Sequence, residues 1–236
     1  MRGAVLRVSH AVATIMRSAA YDADALLLGA RADDTALLVH EAPPVPVHDT
    51  VAWRAAHAFS FLLGGLTFIL GTLALYSTAA PAALVSAALY TIGSCGFLAV
   101  DVQEIFTFTR EPLDLRLNIA ASALGSACYV AGSVLFAPAL LAAAPAAGAA
   151  GFDAGSAIIA ASQAAKVARL LRARAPPSAV AVEAGAGVGA ACFLGGTLVI
   201  NSAPPATVLA VWLAGSASFT AGGVALAYRH FWLRVT

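Results

Sequence analysis

The residues of this chain best suited to chemistry are a few ionisable and amide side chains inside long apolar stretches. Asp101 and Glu104 could bind a proton or an ion, and Lys166 could supply an internal counter-charge. Ionisable groups within a membrane span are costly and usually face the interior of a helix bundle or a water-filled cavity. A second interpretation stays open. These residues could lie at helix ends and extend into the lipid headgroups, with Glu104 and Lys166 forming an ordinary interfacial pair.

Motifs for other chemistry are missing from the sequence. It contains no phosphate-binding loop, no Ser/His/Asp arrangement, no His/Cys spacing for a metal and no histidine pair suited to haem within one helix. Cys95, Cys128 and Cys192 fall inside apolar stretches, where small residues fill helix interfaces. We therefore expect no catalytic residues, no cofactor, no metal and no nucleic-acid partner. A membrane enzyme stays a third alternative, because His57 and Glu183 could meet.

Composition indicates the elements that carry these residues. The chain is 61% hydrophobic and only 11% charged, with a mean hydropathy of +0.86, whereas soluble domains carry about 25% charged residues. Apolar runs of about 20 residues match the hydrocarbon thickness of a bilayer. They lack the two-residue alternation of strands. The sequence thus predicts an all-α integral membrane protein with six transmembrane helices, near residues 57–77, 83–105, 118–137, 153–172, 180–201 and 206–228.

Basic residues lie on only one side of these predicted spans. All thirteen lie before the first helix or at the junctions that end the second, fourth and sixth helices, and the three alternate loops contain none. This distribution places both termini on the cytoplasm-equivalent side of a membrane that the sequence does not identify. The basic residues are Arg2, Arg7, Arg17, Arg31, Arg54, Arg110, Arg116, Lys166, Arg169, Arg172, Arg174, Arg229 and Arg234.

A short motif recurs in the middle of all six apolar runs. A glycine is followed four residues later by a bulky side chain and seven residues later by a small residue or its replacement, with copies starting at 64, 93, 125, 155, 189 and 215. Such small-residue strips let helix backbones approach closely in lipid. We assign this packing role to Gly64, Gly71, Gly93, Gly125, Gly132, Gly155, Gly189, Gly196, Gly215 and Gly222. The six spans pair into three parallel-repeated helical hairpins, at about 57–105, 118–172 and 180–228.

The polar residues also fall at equivalent positions when residues are numbered from the first glycine of each copy of the motif. Glu104 and Lys166 both follow the first residue of their copy by eleven positions, so they lie at one depth near the inner end of their helices. The copies therefore predict one inner polar layer. Its candidate members are His57, Asp101, Glu104, Asn118, Gln163, Lys166 and Glu183.

The two-helix unit resembles the YrhK-like membrane domain, whose spans read Gly-x-x-x-Phe-x-x-Gly-Ser/Thr. The best copies are Gly64…Phe68…Gly71-Thr72, Gly125…Tyr129…Gly132-Ser133 and Gly189…Phe193…Gly196-Thr197. The resemblance implies three tandem copies over residues 57–230. The family has no established activity, so the resemblance implies a fold and not a reaction. We expect a non-catalytic, multi-pass scaffold or accessory subunit, with membrane lipid and a homo-oligomer or larger membrane complex as partners. The alternative is a small-solute or ion transporter with a proton-coupled inner polar layer.

The ends of the chain differ from this six-helix membrane domain, which spans 51–236. Residues 1–50 form a polar-leaning tail, whose basic start is either an amphipathic targeting segment or a helix on the membrane surface. At the other end, aromatic residues and positive charge indicate an interfacial anchor. Its residues are Tyr228, His230, Phe231, Trp232 and Arg234, and Trp53 with Arg54 repeats the pattern before the first helix.

Overall fold

The computed structural model describes residue 48 and residues 50–79, 81–144 and 146–233. Within these ranges the chain is helical and contains no strand. The tail predicted for residues 1–50 lies outside the described residues, apart from residues 48 and 50, and so does Arg234.

Six long helices and one short helix make up the described chain. They are α1 (Val51–Ala74), α2 (Ala82–Thr107), α3 (Leu113–Leu135), α4 (Pro138–Ala143), α5 (Ala147–Arg172), α6 (Pro177–Leu198) and α7 (Pro205–Tyr228), followed by a π-helical turn at Arg229–Leu233. Each of the six predicted helices has a counterpart. The prediction was wrong about the middle connection, which is not a plain loop. It contains α4, and α5 starts six residues before the predicted position 153, because alanine is the best helix former and Pro138 suits a first helical turn.

Local sequence signals explain several of the helix starts. The Thr50 hydroxyl accepts a hydrogen bond from the Trp53 backbone N–H at 3.2 Å and caps α1. Pro177 and Pro205 occupy the first turns of α6 and α7, where a missing N–H costs nothing. The sharp turns between long helices therefore coincide with proline residues.

The six long helices form a closed ring in chain order. Each packs against its neighbours along the chain, with α4 outside the ring, and α7 packs against α1. Neighbours run antiparallel. His57 near the start of α1 approaches Glu104 near the end of α2, whereas Gly71 near the end of α1 packs against Tyr90. We call the end where α1, α3 and α6 begin the charged end and the opposite end the apolar end.

The recurring motif is buried in the same way in every long helix. The first, second, fifth, eighth and ninth residues of all six copies are buried. The fifth residues form the centre of the core, and they are Phe68, Phe97, Tyr129, Ile159, Phe193 and Phe219. One face of each helix is thus committed to the bundle interior, while leucine and valine side chains such as Leu70, Leu124 and Val188 stay exposed on the outside.

The packing glycines lie at contacts between neighbouring helices. At each of the ten, an added methyl group would touch another helix of the chain. The first glycine of each copy faces the bulky fifth residue of the adjacent copy. The six pairs are Gly64–Phe97, Gly93–Phe68, Gly125–Ile159, Gly155–Tyr129, Gly189–Phe219 and Gly215–Phe193.

Among the described residues, five helices are long and apolar enough to cross a membrane. They are α1, α2, α3, α6 and α7 with its π-helical turn. Helix α5 has 26 residues, so its length is sufficient, but many of them are alanine, glycine or polar. These apolar helices indicate an integral membrane protein.

Candidate functional site: a buried charged cluster

The ring of helices encloses a group of charged side chains at its charged end. A cavity of about 40 Å³ lies between α1, α2, α3, α5, α6 and α7, large enough for a very few water molecules. Polar residues from five of these helices line it. They are His57, Asp101, Glu104, Ser122, Ser126, Gln163, Lys166 and Glu183, and we call them the charged cluster.

Glu104 is the centre of the charged cluster. Its Oε2 lies 3.1 Å from Lys166 Nζ, and its Oε1 lies 3.6 Å from His57 Nε2. Lys166 Nζ also approaches Glu183 Oε2 at 3.6 Å. Lys166 therefore joins α5 to α2 by a charge-assisted hydrogen bond and to α6 by an ion pair, and His57 of α1 lies beside Glu104.

A second histidine extends the cluster to the end of the chain. His230, in the π-helical turn after α7, is buried, and its Nε2 lies 3.1 Å from His57 Nδ1. Trp53 stacks on the His57 ring at a centroid distance of 4.5 Å and donates a hydrogen bond from Nε1 to Thr107 Oγ1 at 2.9 Å. Together these contacts produce a continuous line of titratable groups, from His230 through His57 and Glu104 to Lys166 and Glu183.

The deepest carboxyl group of the cluster is Asp101. It is only 5% exposed, and Ser126 Oγ donates a hydrogen bond to its Oδ2 at 2.5 Å. Nearby, the Gln163 amide donates from Nε2 to Ser122 Oγ at 3.5 Å. Gln163 Oε1 is buried and has no hydrogen-bond partner among the described residues. A buried acceptor of this kind favours a donor in the adjoining cavity, such as water.

The structure brings six of the seven candidate polar residues to this cavity. Asn118 is the exception, because it pairs with Ser162 across the α3–α5 interface. Its Nδ2 donates to the Ser162 carbonyl at 3.0 Å, and Ser162 Oγ donates back to the Asn118 side chain at 3.1 Å. Asn118 thus fastens two helices beside the cluster without lining it.

Sequence reasoning missed several residues of the site. It assigned His230 to an interfacial anchor, but His230 is buried against His57, whereas the neighbouring Trp232 is 79% exposed. It also missed Ser122 and Ser126. The repeat offered a signal for Ser126, because the second residue of every copy is small and buried and Ser126 lies at the same level as Asp101.

The position of Lys166 bears on the two interpretations of the polar layer. It is 7% exposed and points to Glu104 and Glu183 inside the ring. Its Cα lies six residues before the end of α5, which is about 9 Å along the helix axis. An extended interfacial lysine would instead keep its ammonium group in water. The geometry matches an internal counter-charge.

A layer of aromatic rings closes the bundle axis beyond the charged cluster. Phe68 has no solvent exposure, and its ring centroid lies 5.4 Å from that of Phe97 and 5.2 Å from that of Phe193. Tyr129 and Phe219 complete the contacts around Phe68, at 5.9 and 6.0 Å. The cavity at the charged end is therefore separated from the apolar end.

Comparison with known proteins adds no relative to this description. No family model matches the chain, and no curated protein and no solved structure matches it either.

Proposed function

We propose that this integral membrane protein is a proton-coupled transporter whose charged cluster binds and releases the coupling proton. The observation that carries the proposal is the line of titratable side chains inside the ring, centred on Glu104 between Lys166 and His57. Chains of Asp, Glu and His residues within a membrane bundle are typical of proton relays. Water in the adjoining cavity would bring protons to this line.

A proton suits the cluster better than a metal cation. Three carboxyl groups, those of Asp101, Glu104 and Glu183, surround the single ammonium group of Lys166. That ammonium group occupies the place between Glu104 and Glu183 where a bound cation would have to sit. Protonation of a carboxylate or of His57 changes the charge without displacing Lys166.

The proposal includes a sixth span formed by α5. Four of its polar residues, Ser156, Ser162, Gln163 and Lys166, are buried in the ring, so they would not face lipid. The outward side of α5 exposes alanines such as Ala164 and Ala168. A low mean hydropathy of α5 is thus compatible with a span, because the outward surface at Ala164 and Ala168 is uncharged.

We also propose that the ring consists of three tandem YrhK-like hairpins with the charged end on the cytoplasm-equivalent side. The shared burial pattern and the six reciprocal glycine contacts support an internal repeat. The connections at the apolar end carry no charged residue in the sequence, whereas those at the charged end contain Arg110 and Arg174. This asymmetry supports the orientation.

The scaffold role predicted from the sequence has less support. It depends on small-residue strips that other chains could reach, but those strips contact helices of the same chain. At Gly132, for example, an added methyl group would lie 2.8 Å from Phe152. Association with other chains would have to use the leucine- and valine-rich outer surface instead.

Cysteine labelling tests the sixth span. With a membrane-impermeant maleimide, we expect Ser77→Cys and Arg174→Cys to react from opposite sides of the membrane. If α5 did not cross, only α1, α2, α3, α6 and α7 would span, and both cysteines would react from the same side. That result would contradict the six-span arrangement.

Infrared difference spectroscopy tests proton binding by the cluster. We expect the pH-difference spectrum of the purified protein to contain a C=O band of a protonated carboxylic acid. This band should be lost or shifted in Asp101→Asn, because Asp101 accepts a hydrogen bond from Ser126 and forms no ion pair among the described residues, whereas Glu104 is paired with Lys166. Glu111→Gln is the matched control, because Glu111 is exposed in the α2–α3 connection. A buried-carboxyl band that is missing, or that is identical in Asp101→Asn, would refute the proposal.

A further inference from the structure

The apolar end of the bundle contains a second and larger cavity. Its volume is about 210 Å³, and it lies among the ends of α1, α2, α3, α5, α6 and α7, with Leu141 of α4 over it. Aromatic side chains dominate its lining, and they are Tyr90, Phe136, Phe152, Phe193 and Trp212. This cavity is on the far side of the aromatic layer from the charged cluster.

The lining determines which molecules this cavity can hold. It contains no charged side chain among the described residues, and its polar side-chain groups are the Ser86 hydroxyl, the Tyr90 hydroxyl, which is hydrogen-bonded to Thr72 at 2.8 Å, and the Trp212 Nε1, which has no hydrogen-bond partner among the described residues. Most of the lining is apolar, so water would find few hydrogen-bond partners there. Their lining atoms lack dispersion contacts, which an apolar guest would restore.

We propose that this cavity is a binding site for a small uncharged aromatic molecule, consisting of one ring with a short substituent. An apolar cavity of about 150 Å³ accommodates benzene. The present cavity, at about 210 Å³, also has room for a short substituent on the ring. The surrounding aromatic rings can meet a planar guest edge-to-face, the geometry that favours aromatic pairs. The site is independent of the proposed proton role, because it shares no lining residue with the charged cluster.

The three tryptophans allow a direct test with toluene as the probe. In protein labelled with 5-fluorotryptophan, Trp212 reports on the cavity, and Trp232, which is 79% exposed, reports on nonspecific partition into detergent. We expect toluene to shift the fluorine resonance of Trp212 in a saturable manner. The Trp232 resonance should change only in proportion to the toluene added.

A pair of substitutions on α2 locates the binding. Ala87 is buried in the cavity wall, whereas the adjacent Ala88 is exposed. We expect Ala87→Phe to fill the cavity and weaken toluene binding at least tenfold, and Ala88→Phe to bind like the original protein. If Ala87→Phe does not fold, Ala87→Leu provides the same comparison with partial filling. A Trp212 response that does not saturate, or that persists unchanged in the filled variants, would overturn the proposal.

Discussion

Replacing Gly155 by alanine should weaken the α3–α5 contact and destabilise the bundle. The added Cβ would lie 2.7 Å from the Gly125 carbonyl oxygen and 2.7 Å from Cδ1 of Tyr129. The carbonyl oxygen belongs to the backbone and cannot rotate away, so the two helices must separate. Overpacking of this kind costs about 1–3 kcal/mol, and alanine's higher helix propensity returns at most about 1 kcal/mol.

Gly195 provides the matched control for this substitution. Within the described chain, a Cβ at Gly195 would have no atom of another residue within 4 Å, apart from its own helix backbone and its neighbours. Gly195→Ala should therefore leave the free energy of unfolding unchanged or raise it by up to about 1 kcal/mol. Unfolding both variants with sodium dodecyl sulfate in mixed micelles, followed by circular dichroism, measures the difference. Equal stability of Gly155→Ala and Gly195→Ala would refute the close-packing explanation of the motif.

Two further predictions concern the interior of the ring. Lys166→Met leaves the carboxylates of Glu104 and Glu183 without their common partner, so stability in the same assay should fall by about 3–5 kcal/mol. Adding Glu104→Gln and Glu183→Gln should recover most of the loss, and failure to do so would argue against the charge explanation. Phe68→Ala should open the aromatic layer and raise passive proton leak through liposomes, whereas Phe59→Ala, at a 66% exposed position, should not. Equal leak from both variants would contradict the barrier role.

The spacing of the recurring motif made the buried face of each long helix predictable. Residues four and seven apart share a helix face, so the spacing of Gly64, Phe68 and Gly71 indicated which side of α1 is buried. The same numbering placed Glu104 and Lys166 at one depth, and their charged groups lie 3.1 Å apart. Periodicity carries this information because each long helix has one buried face.

Other features depend on contacts that periodicity does not describe. His230 follows the last repeat copy, and only the π-helical turn after α7 brings it to His57. Asn118 and His57 both precede the first glycine of their copy by seven residues. His57 lines the cavity, whereas the Asn118 side chain is hydrogen-bonded to Ser162 and does not line it. The polar residues of α5 face inward and contribute to the site. The same residues lower the mean hydropathy of α5, which is not among the five helices apolar enough to cross a membrane.

Proton flux through reconstituted liposomes measures whether the charged cluster moves protons across a membrane. An imposed membrane potential drives protons inward, and an enclosed pH-sensitive dye records their entry. We expect transient opening of the aromatic layer to give proton entry faster than in protein-free liposomes, reduced to background by Asp101→Asn and unchanged by Glu111→Gln. Proton entry no faster than in protein-free liposomes, or equally fast with Asp101→Asn, would contradict a proton-carrying role of the charged cluster.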